Sequence, residues 1–182
     1  MYRNQIIWRS AVSPNFNIRP AGDAAVLAII VSNRKTLIIR EPDREDPKWK
    51  FPGGTVEREE TISQALVREI ADESGFKIPC QTNNDGTLVL GNDSVMVECL
   101  DCVPMLTKHG AYDQYQFLIL VQKEQDILYL DGQIRKEDDD ETIETRIFEF
   151  DSLEKMPDFL WKQLKMLRKG KARLAKINTA AS

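Results

Sequence analysis

The chain has 182 residues, with 25 lysines and arginines against 29 aspartates and glutamates, and a formal net charge of −4 at pH 7. This length suits one domain with a sizeable core, and the negative charge argues against a general affinity for nucleic acid. The longest apolar run, residues 24–31, is far shorter than the ~20 residues of a membrane-spanning helix.

The N-terminal sequence and the cysteines bear on cellular location. The N-terminus lacks the apolar core of a signal peptide, and the three cysteines are an odd count with no secretory context. We therefore expect reduced thiols, a cytoplasmic location and no membrane partner. The oligomeric state is left open, with a homodimer as one option.

Segments rich in β-branched and aliphatic residues predict strands on both sides of a helix. Residues 1–22 are expected to be irregular because they include Pro14 and Pro20, and residues 41–48 to form a charged loop. Strands are predicted at 24–31, 36–40, near 87–90, and at 95–102, 114–121, 126–130 and 145–150. Helices are predicted at 62–74 and, as one helix or two, at 156–176. A mixed sheet between helices is the natural architecture for this order.

The helix at 62–74 is well delimited in the sequence. Thr61 is suited to be its N-cap, and Gln64 three residues later completes a capping box. Gly75 stands where a left-handed residue ends a helix. One face carries apolar residues at helical spacing, namely Ile62, Ala65, Leu66 and Ile70.

Three carboxylates follow this apolar stripe toward the C-terminal end of the helix. Glu69, Asp72 and Glu73 stand at i, i+3 and i+4, so a helix places them on one face. Their repulsion costs about 0.2–0.5 kcal/mol per pair, and the helix dipole disfavours negative charge there. A divalent cation bound by hard oxygen ligands relieves the repulsion. A solvated acidic face is the alternative, but Glu69 and Glu73 continue the apolar stripe, which favours a metal site.

A turn with two adjacent glycines precedes the helix. Residues 49–54 read WKFPGG, and Gly53 and Gly54 permit a close approach of the backbone to a ligand. Their amides can face phosphate oxygens, so the turn and the acidic helix together suggest a site for a metal ion and a diphosphate. Trp49 and Phe51 are expected to lie in the core.

Residues 54–76, which read GTVEREETISQALVREIADESGF, resemble the signature of the Nudix hydrolases. That signature is G-x5-E-x7-R-E-U-x-E-E-x-G-U, where U is aliphatic or aromatic. The matching positions are Gly54, Glu60, Arg68, Glu69, Ile70, Glu73, Gly75 and Phe76. Asp72 departs from it, because the family usually has glutamate there. Aspartate keeps the charge but is one methylene shorter, so Asp72 is expected to reach a metal through water.

This resemblance implies a fold and a cofactor. The fold would be a single Nudix hydrolase domain over residues 1–182, an α/β/α sandwich with a mixed β-sheet, ending in a basic helical segment at 156–176. The cofactor would be Mg²⁺ or Mn²⁺. The metal ligands would be Glu69, Asp72 and Glu73, and the structural positions of the motif would be Glu60, Arg68, which orients the neighbouring carboxylates, and Gly75.

The resemblance also implies the reaction, which is hydrolysis of a diphosphate linkage in a nucleoside diphosphate joined to another moiety. The small-molecule substrate would lie against Gly53 and Gly54, and the metal would neutralise phosphate oxygens and make bound water more acidic. Glu69 or Glu144 would accept the proton of the attacking water.

Glu144 is a candidate for the proton acceptor because residues 144–148 resemble the family's Glu-x-Arg-Trp-Phe segment, with Ile147 in place of tryptophan. In many members an acid from this region is a metal ligand or the general base. Glu141 and the neighbouring aspartates are the alternatives to Glu144. The rest of the acidic run at 137–141 is expected to be a solvated loop.

Two other functions fit the sequence less well. A Nudix-fold sensor that binds a nucleotide without cleaving it would not need Glu69, Asp72 and Glu73. An RNA 5′-end pyrophosphohydrolase is favoured only by the basic segment, whose alternative role is a solvated face. The substrate is not specified, although the ADP-ribose subgroup's proline about fifteen residues after the motif and the NADH subgroup's SQPWPFP-like motif are absent.

A zinc site is a further alternative. Cys99 and Cys102 form a C-x-x-C pair, with Cys80 and His109 nearby in sequence. Strand alternation, however, predicts that Cys99 shares a core face with Val95 and Val97. His109 is expected to be a surface residue in a loop.

Overall fold

The computed structural model of the protein describes residues 16–108, 110–136 and 141–180, and in this part a β-sheet lies between helices. Its strands are β1 (Ala24–Ser32), β2 (Lys35–Arg40), β3 (Cys80–Thr82), β4 (Leu88–Leu90), β5 (Val95–Thr107), β6 (Gly110–Val121), β7 (Ile134–Lys136) and β8 (Thr142–Glu149). Its helices are α1 (Ile62–Ser74), α2 (Gln125–Leu128) and α3 (Leu164–Ala180), with 3₁₀ helices at Phe150–Lys155 and Trp161–Gln163.

Six strands form one mixed sheet in the order β5-β6-β1-β2-β8-β7, which confirms the predicted α/β class. β1 and β6 are parallel, and the other neighbours are antiparallel. Strands β3 and β4 form a separate pair. The parallel pair lies in the middle of the sheet and is covered on both faces, which explains the continuous apolar run of β1.

Alternate residues of the central strands face two apolar cores. The first core lies between the sheet and α1, and β1 contributes Val26, Ala28 and Ile30 to it. The second core lies between the sheet and α3, and β1 contributes Leu27 and Ile29. The two cores therefore make an α/β/α sandwich, which confirms the fold that the resemblance to the Nudix hydrolases implies.

Helix α3 lies directly on β1. Met166 and Leu167 of α3 are buried in the second core. A Cβ atom on Gly170 would come within 2.6 Å of the Cδ1 atom of Ile29, so glycine allows the helix to approach the strand closely.

The predicted strand at 126–130 is wrong. The chain forms α2 there, with Ile127 and Leu130 buried and the intervening Leu128 and Tyr129 exposed. Burial at positions three apart fits a helical turn. A short apolar run such as the one at residues 127–130 shows no clear period in the sequence, so a helix there cannot be told from a strand.

The C-terminal helix begins later than residue 156. The described chain at 156–160 is not helical, because Phe159 forms a parallel bridge with Trp49. The bridge buries both aromatic rings in the second core, as expected for Trp49. The helix α3 then runs from Leu164 to Ala180.

Other predicted strands are confirmed with shifted ends. The predicted strands at 95–102 and 114–121 extend toward each other as the long hairpin of β5 and β6, and the one predicted at 145–150 is β8. Residues 1–15, His109 and residues 137–140 lie outside the described part of the chain. Within that part, the helices are too short or too polar to cross a membrane.

Candidate functional site

Helix α1 is fixed by its caps and its apolar stripe. The Thr61 hydroxyl accepts from the Gln64 amide, and the Gln64 side chain accepts from the Thr61 amide, which confirms the capping box. Gly75 adopts φ 72° and its amide donates to Ala71. The stripe of Ile62, Ala65, Leu66 and Ile70 is fully buried. These contacts fix which face of α1 its last two turns present to the sheet.

The two-glycine turn lies alongside β1. The amide of Val26 donates to the carbonyl of Gly54 at 2.9 Å, and the amide of Ala28 donates to that of Pro52 at 3.0 Å. Gly53 adopts φ +140°, and a Cβ atom there would lie 2.1 Å from the carbonyl oxygen of Val26. Glycine is therefore required at position 53 by both the backbone angle and the space.

Replacement of Gly53 by alanine is expected to lower the free energy of unfolding by about 3 kcal/mol or more, because overlap and positive φ each cost about 1–3 kcal/mol. Thermal unfolding followed by circular dichroism should show a Tm lower by roughly 6–12 °C. Gly22→Ala is the matched control, since a Cβ atom there meets nothing within 4 Å. Equal Tm values for the two variants would contradict the close packing on β1.

Glu69 and Glu73 both reach the two-glycine turn from α1. The Glu73 Oε2 atom accepts a hydrogen bond of 2.5 Å from the amide of Gly53. The carboxylate of Glu69 lies over Gly54, where a Cβ atom would be 2.5 Å from Oε2. Two carboxylates thus meet at the turn, one on the Gly53 amide and one in the space that a side chain at position 54 would fill. This donor set fits a divalent cation.

Arg68 ties this helix to the loop before it. Its guanidinium donates two hydrogen bonds of 2.7 Å to Glu60, one of 2.9 Å to Glu69 and one of 3.0 Å to the carbonyl of Thr55. The bidentate bond to Arg68 lowers the pKa of Glu60. These contacts are those of a residue that positions Glu69.

Lys50 and Glu41 complete the site, and neither was predicted as a site residue. Lys50 Nζ donates to Glu41 Oε1 at 2.6 Å and to Glu73 Oε1 at 3.4 Å. The signal for Lys50 was strand alternation, because Trp49 and Phe51 both lie in the second core and Lys50 must face the other side. Glu41 gave no such signal, because it begins the segment that was expected to be a charged loop.

Asp72 is exposed, one helical position away from Glu73. In the described part of the chain, no three or more acidic, histidine or cysteine side chains are grouped as metal ligands. Glu69 instead pairs with Arg68, and Glu73 with Lys50. Burial raises the pKa of Glu69, and the nearby charge of Asp72 raises it further, while Arg68 lowers it. The acids therefore repel one another and take cationic partners.

Glu144 lies apart from these acids. Its neighbours Ile143 and Ile147 pack in the first core, so strand alternation directs Glu144 to the face of the sheet opposite α1. There its oxygens accept from Arg40 and from Arg146, the latter at 2.9 Å. Burial alone would raise the pKa of Glu144, but these two guanidinium groups lower it below its usual value. Its role as general base stays a prediction.

The cysteines do not support the zinc alternative. Cys80 and Cys102 are exposed, and Cys99 packs against the first core beside Val95 and Val97, as strand alternation predicts. His109 lies outside the described residues, so its surface position stays a prediction.

The basic residues of α3 largely pair with acids of the same chain. Four of the seven lysines and arginines between residues 162 and 176 do so. These pairs are Arg168 and Lys171 with Glu154, Lys169 with Asp101, and Arg173 with Glu98. More than half of these cations are thus partly neutralised within the chain, which weakens the RNA 5′-end alternative.

Similarity to known sequences extends beyond the 23-residue motif at residues 54–76. A sequence model described as the NUDIX domain matches residues 22–169. The chain belongs to the Nudix family. The matched segment runs from just before β1 into α3, so the Nudix domain includes both cores. The wider assignment of residues 1–182 to this one domain stays a prediction.

Curated relatives of this Nudix chain match it in part. The human protein named nucleoside diphosphate-linked moiety X motif 6 is 44% identical over 46 residues, 25% of this chain and 15% of the relative. The CTP pyrophosphohydrolase of Escherichia coli is 43% identical over 54 residues, 29% of this chain and 40% of the relative. The putative 8-oxo-dGTP diphosphatase YtkD of Bacillus subtilis is 29% identical over 100 residues, 54% of this chain and 61% of the relative. The matches thus span less than two thirds of each relative.

Solved structures support the Nudix fold at low identity. The NUDIX domain of Shewanella oneidensis NrtR, solved with ADP ribose, superposes with a TM-score of 0.59 at 16% identity over 83% of this chain and 87% of that one. A structure from work on MutT of Aliivibrio salmonicida and Vibrio cholerae gives 0.52 at 19% identity, over 83% and 98%. These similarities bear on the fold alone.

Proposed function

We propose that the chain is a metal-dependent pyrophosphohydrolase, which hydrolyses a diphosphate linkage in a nucleoside diphosphate joined to another moiety. The observation that carries the proposal is that Glu69 and Glu73 converge on the two-glycine turn, where Glu73 accepts from the amide of Gly53 and the carboxylate of Glu69 lies over Gly54. Carboxylate oxygens that suit a divalent cation thereby lie beside the turn that would approach the phosphates. A nucleotide sensor would not need this set of acids.

Different residues of the site would bind the metal and the substrate. Glu69, Asp72 and Glu73 would hold Mg²⁺ or Mn²⁺, with Asp72 reaching it through water. When bound, the metal supplies charge neutralisation of the phosphate oxygens and a more acidic water. Gly53 and Gly54 would lie near the diphosphate, and their missing side chains leave room for β1 at Gly53 and for the Glu69 carboxylate at Gly54.

A carboxylate must accept the proton of the attacking water, and Glu69 is favoured over Glu144. Glu69 lies at the two-glycine turn, where Arg68 also contacts it, whereas Glu144 is held by Arg40 and Arg146 on the other face of the sheet. A general base has to come within hydrogen-bond reach of the water that it deprotonates. The position of Glu69 meets that requirement if the diphosphate lies on the turn.

The decisive experiment is a hydrolysis assay with purified protein in which the products are separated by chromatography, because cleavage yields pyrophosphate or phosphomonoesters rather than free phosphate. The substrates would be nucleoside triphosphates, nucleotide sugars, ADP-ribose and dinucleoside polyphosphates, each with Mg²⁺, with Mn²⁺ and with excess EDTA. Nucleoside triphosphates come first, because two of the partial relatives are named as a CTP pyrophosphohydrolase and a putative 8-oxo-dGTP diphosphatase. Binding of nucleotides without turnover of any substrate would instead favour the sensor.

The cytoplasmic location and the oligomeric state stay predictions.

Replacement of Asp72 by alanine is expected to lower kcat less than loss of the Glu73 charge does. Asp72 is exposed and short, so it is expected to act through water, and groups in such outer positions typically contribute about 10–100-fold. Steady-state kinetics at saturating Mg²⁺ would measure the effect. A loss as large as that of Glu73→Gln would show that Asp72 is a direct ligand.

A further inference from the structure

Lys50 lies on the same side of the sheet as α1. Its backbone pairs with Ile39 of β2 through hydrogen bonds of 2.8 and 2.9 Å, and Ile39 faces the first core. Residues paired across antiparallel strands project to the same face. The Lys50 side chain therefore points toward Glu73, away from Trp49 and Phe51.

The ammonium of Lys50 is shared by two nearly buried carboxylates. The side chain of Lys50 is 21% exposed, that of Glu41 is 9% exposed and that of Glu73 is 8% exposed. The bond to Glu41 is shorter, at 2.6 Å, than the bond to Glu73, at 3.4 Å. Glu41 also pairs with Arg44. One cation thus has two acceptors, and one of them is a residue that we assign to the metal site.

A metal ion and an ammonium compete for the same carboxylate. A divalent cation on Glu73 repels a lysine a few ångströms away, and that repulsion weakens binding unless the lysine has another partner. Glu41 is such a partner, because it already holds the shorter bond. Lys50 can therefore leave Glu73 without leaving its own charge buried and unpaired.

We propose that Lys50 is an internal counter-cation, which neutralises Glu73 in the metal-free protein and is held by Glu41 alone once a divalent cation binds. This inference rests on the metal site of the proposed function. It makes Lys50 and Glu41 positioning residues that set the affinity for the metal, with opposite effects: Lys50 opposes metal binding, and Glu41 favours it by holding Lys50 back.

The test is Mn²⁺ binding to the full chain, measured by isothermal titration calorimetry without substrate, so that the readout does not depend on turnover. Lys50→Met is expected to bind Mn²⁺ about tenfold more tightly than the wild type, because a nearby positive charge is removed. Glu41→Gln is expected to bind about tenfold more weakly, because Lys50 then stays on Glu73. Lys48→Met is the control, since Lys48 pairs with Asp46 and Asp158 rather than with Glu73.

The double variant Lys50→Met with Glu41→Gln separates an indirect role of Glu41 from a direct one. If Glu41 acts only by holding Lys50, the double variant binds Mn²⁺ like Lys50→Met. If the double variant binds about tenfold more weakly than Lys50→Met, Glu41 contributes its own charge or ligand oxygen, and its assigned role is overturned.

Thermal unfolding gives a second readout. Lys50→Met leaves Glu41 and Glu73 without this cation, so the metal-free Tm should fall while the rise in Tm on adding Mn²⁺ grows. A purely structural lysine would lower Tm without changing the Kd for Mn²⁺, and an unchanged or weaker Kd in Lys50→Met overturns the inference. Absence of Mn²⁺ binding to the wild type would overturn the proposed function itself.

Discussion

Replacement of Glu73 by glutamine is expected to lower kcat by at least about a hundredfold, which corresponds to about 2.7 kcal/mol. Glutamine can still accept the hydrogen bond from Gly53, so the turn should keep its position, while the charge that holds the metal is lost. Steady-state hydrolysis of the best substrate of the screen measures the effect. Excess EDTA should abolish the wild-type activity in the same assay.

The control for this substitution is Glu59→Gln. Glu59 is 78% exposed and pairs with Arg19 outside the site, so the same chemical change should leave kcat within about twofold of the wild type, because exposed pairs contribute about 0–1 kcal/mol. Circular dichroism of both variants would check the fold. Undiminished turnover of the wild type in EDTA would contradict the metal site.

The second large effect concerns the general base. Glu69→Gln is expected to lower kcat by about 10²–10⁴-fold with little change in KM, because proton transfer acts in the transition state. Glu144→Gln is expected to lower kcat by less than about tenfold, since Arg40 and Arg146 hold Glu144 on the other face of the sheet. A pair of kcat and KM measurements on each variant shows which of the two carboxylates the chemical step needs, and Mn²⁺ binding to Glu69→Gln shows whether the loss comes from the metal instead.

The opposite ranking would restore Glu144 as the base. If Glu144→Gln is inactive and Glu69→Gln is active, the resemblance of residues 144–148 to the family segment has identified the base correctly. If Glu141→Gln is inactive while Glu144→Gln is active, the alignment of that segment is shifted by three residues. Glu141 is exposed enough to pair with Arg44 at 3.4 Å, so this variant should fold.

Local signals in the sequence were sufficient to predict the bounds and the buried face of α1. Its N-cap at Thr61, its apolar stripe and the left-handed Gly75 all depend on residues within one helix, and the structure confirms each of them. The strand β1 could also be predicted from the sequence, because a strand that is buried on both faces requires an uninterrupted apolar run. The helix α1 carries the acids, and β1 holds the two-glycine turn by hydrogen bonds, but the turn itself was identified from its adjacent glycines.

Contacts between distant elements were not visible in the same way. Glu41 becomes part of the site only because β2 pairs with the segment that carries Lys50, and no periodicity encodes that pairing. The wrong strand at 126–130 has a related cause. Whether Leu128 and Tyr129 are exposed depends on what packs over them, and only the folded chain decides it.

The docking of α3 on β1 has a consequence for folding during synthesis. The first face of β1 can be covered early, since α1 ends at Ser74, but Ile29 on the second face meets Gly170 of α3, 141 positions later in the chain. At 5–20 residues per second, translation of that interval takes roughly 7 to 28 seconds. Until α3 is made, Ile29 lacks its helical cover, although Trp49 and Phe51 can already pack on the same face, so binding of a chaperone to the emerging chain should persist until residues 164–177 have left the ribosome.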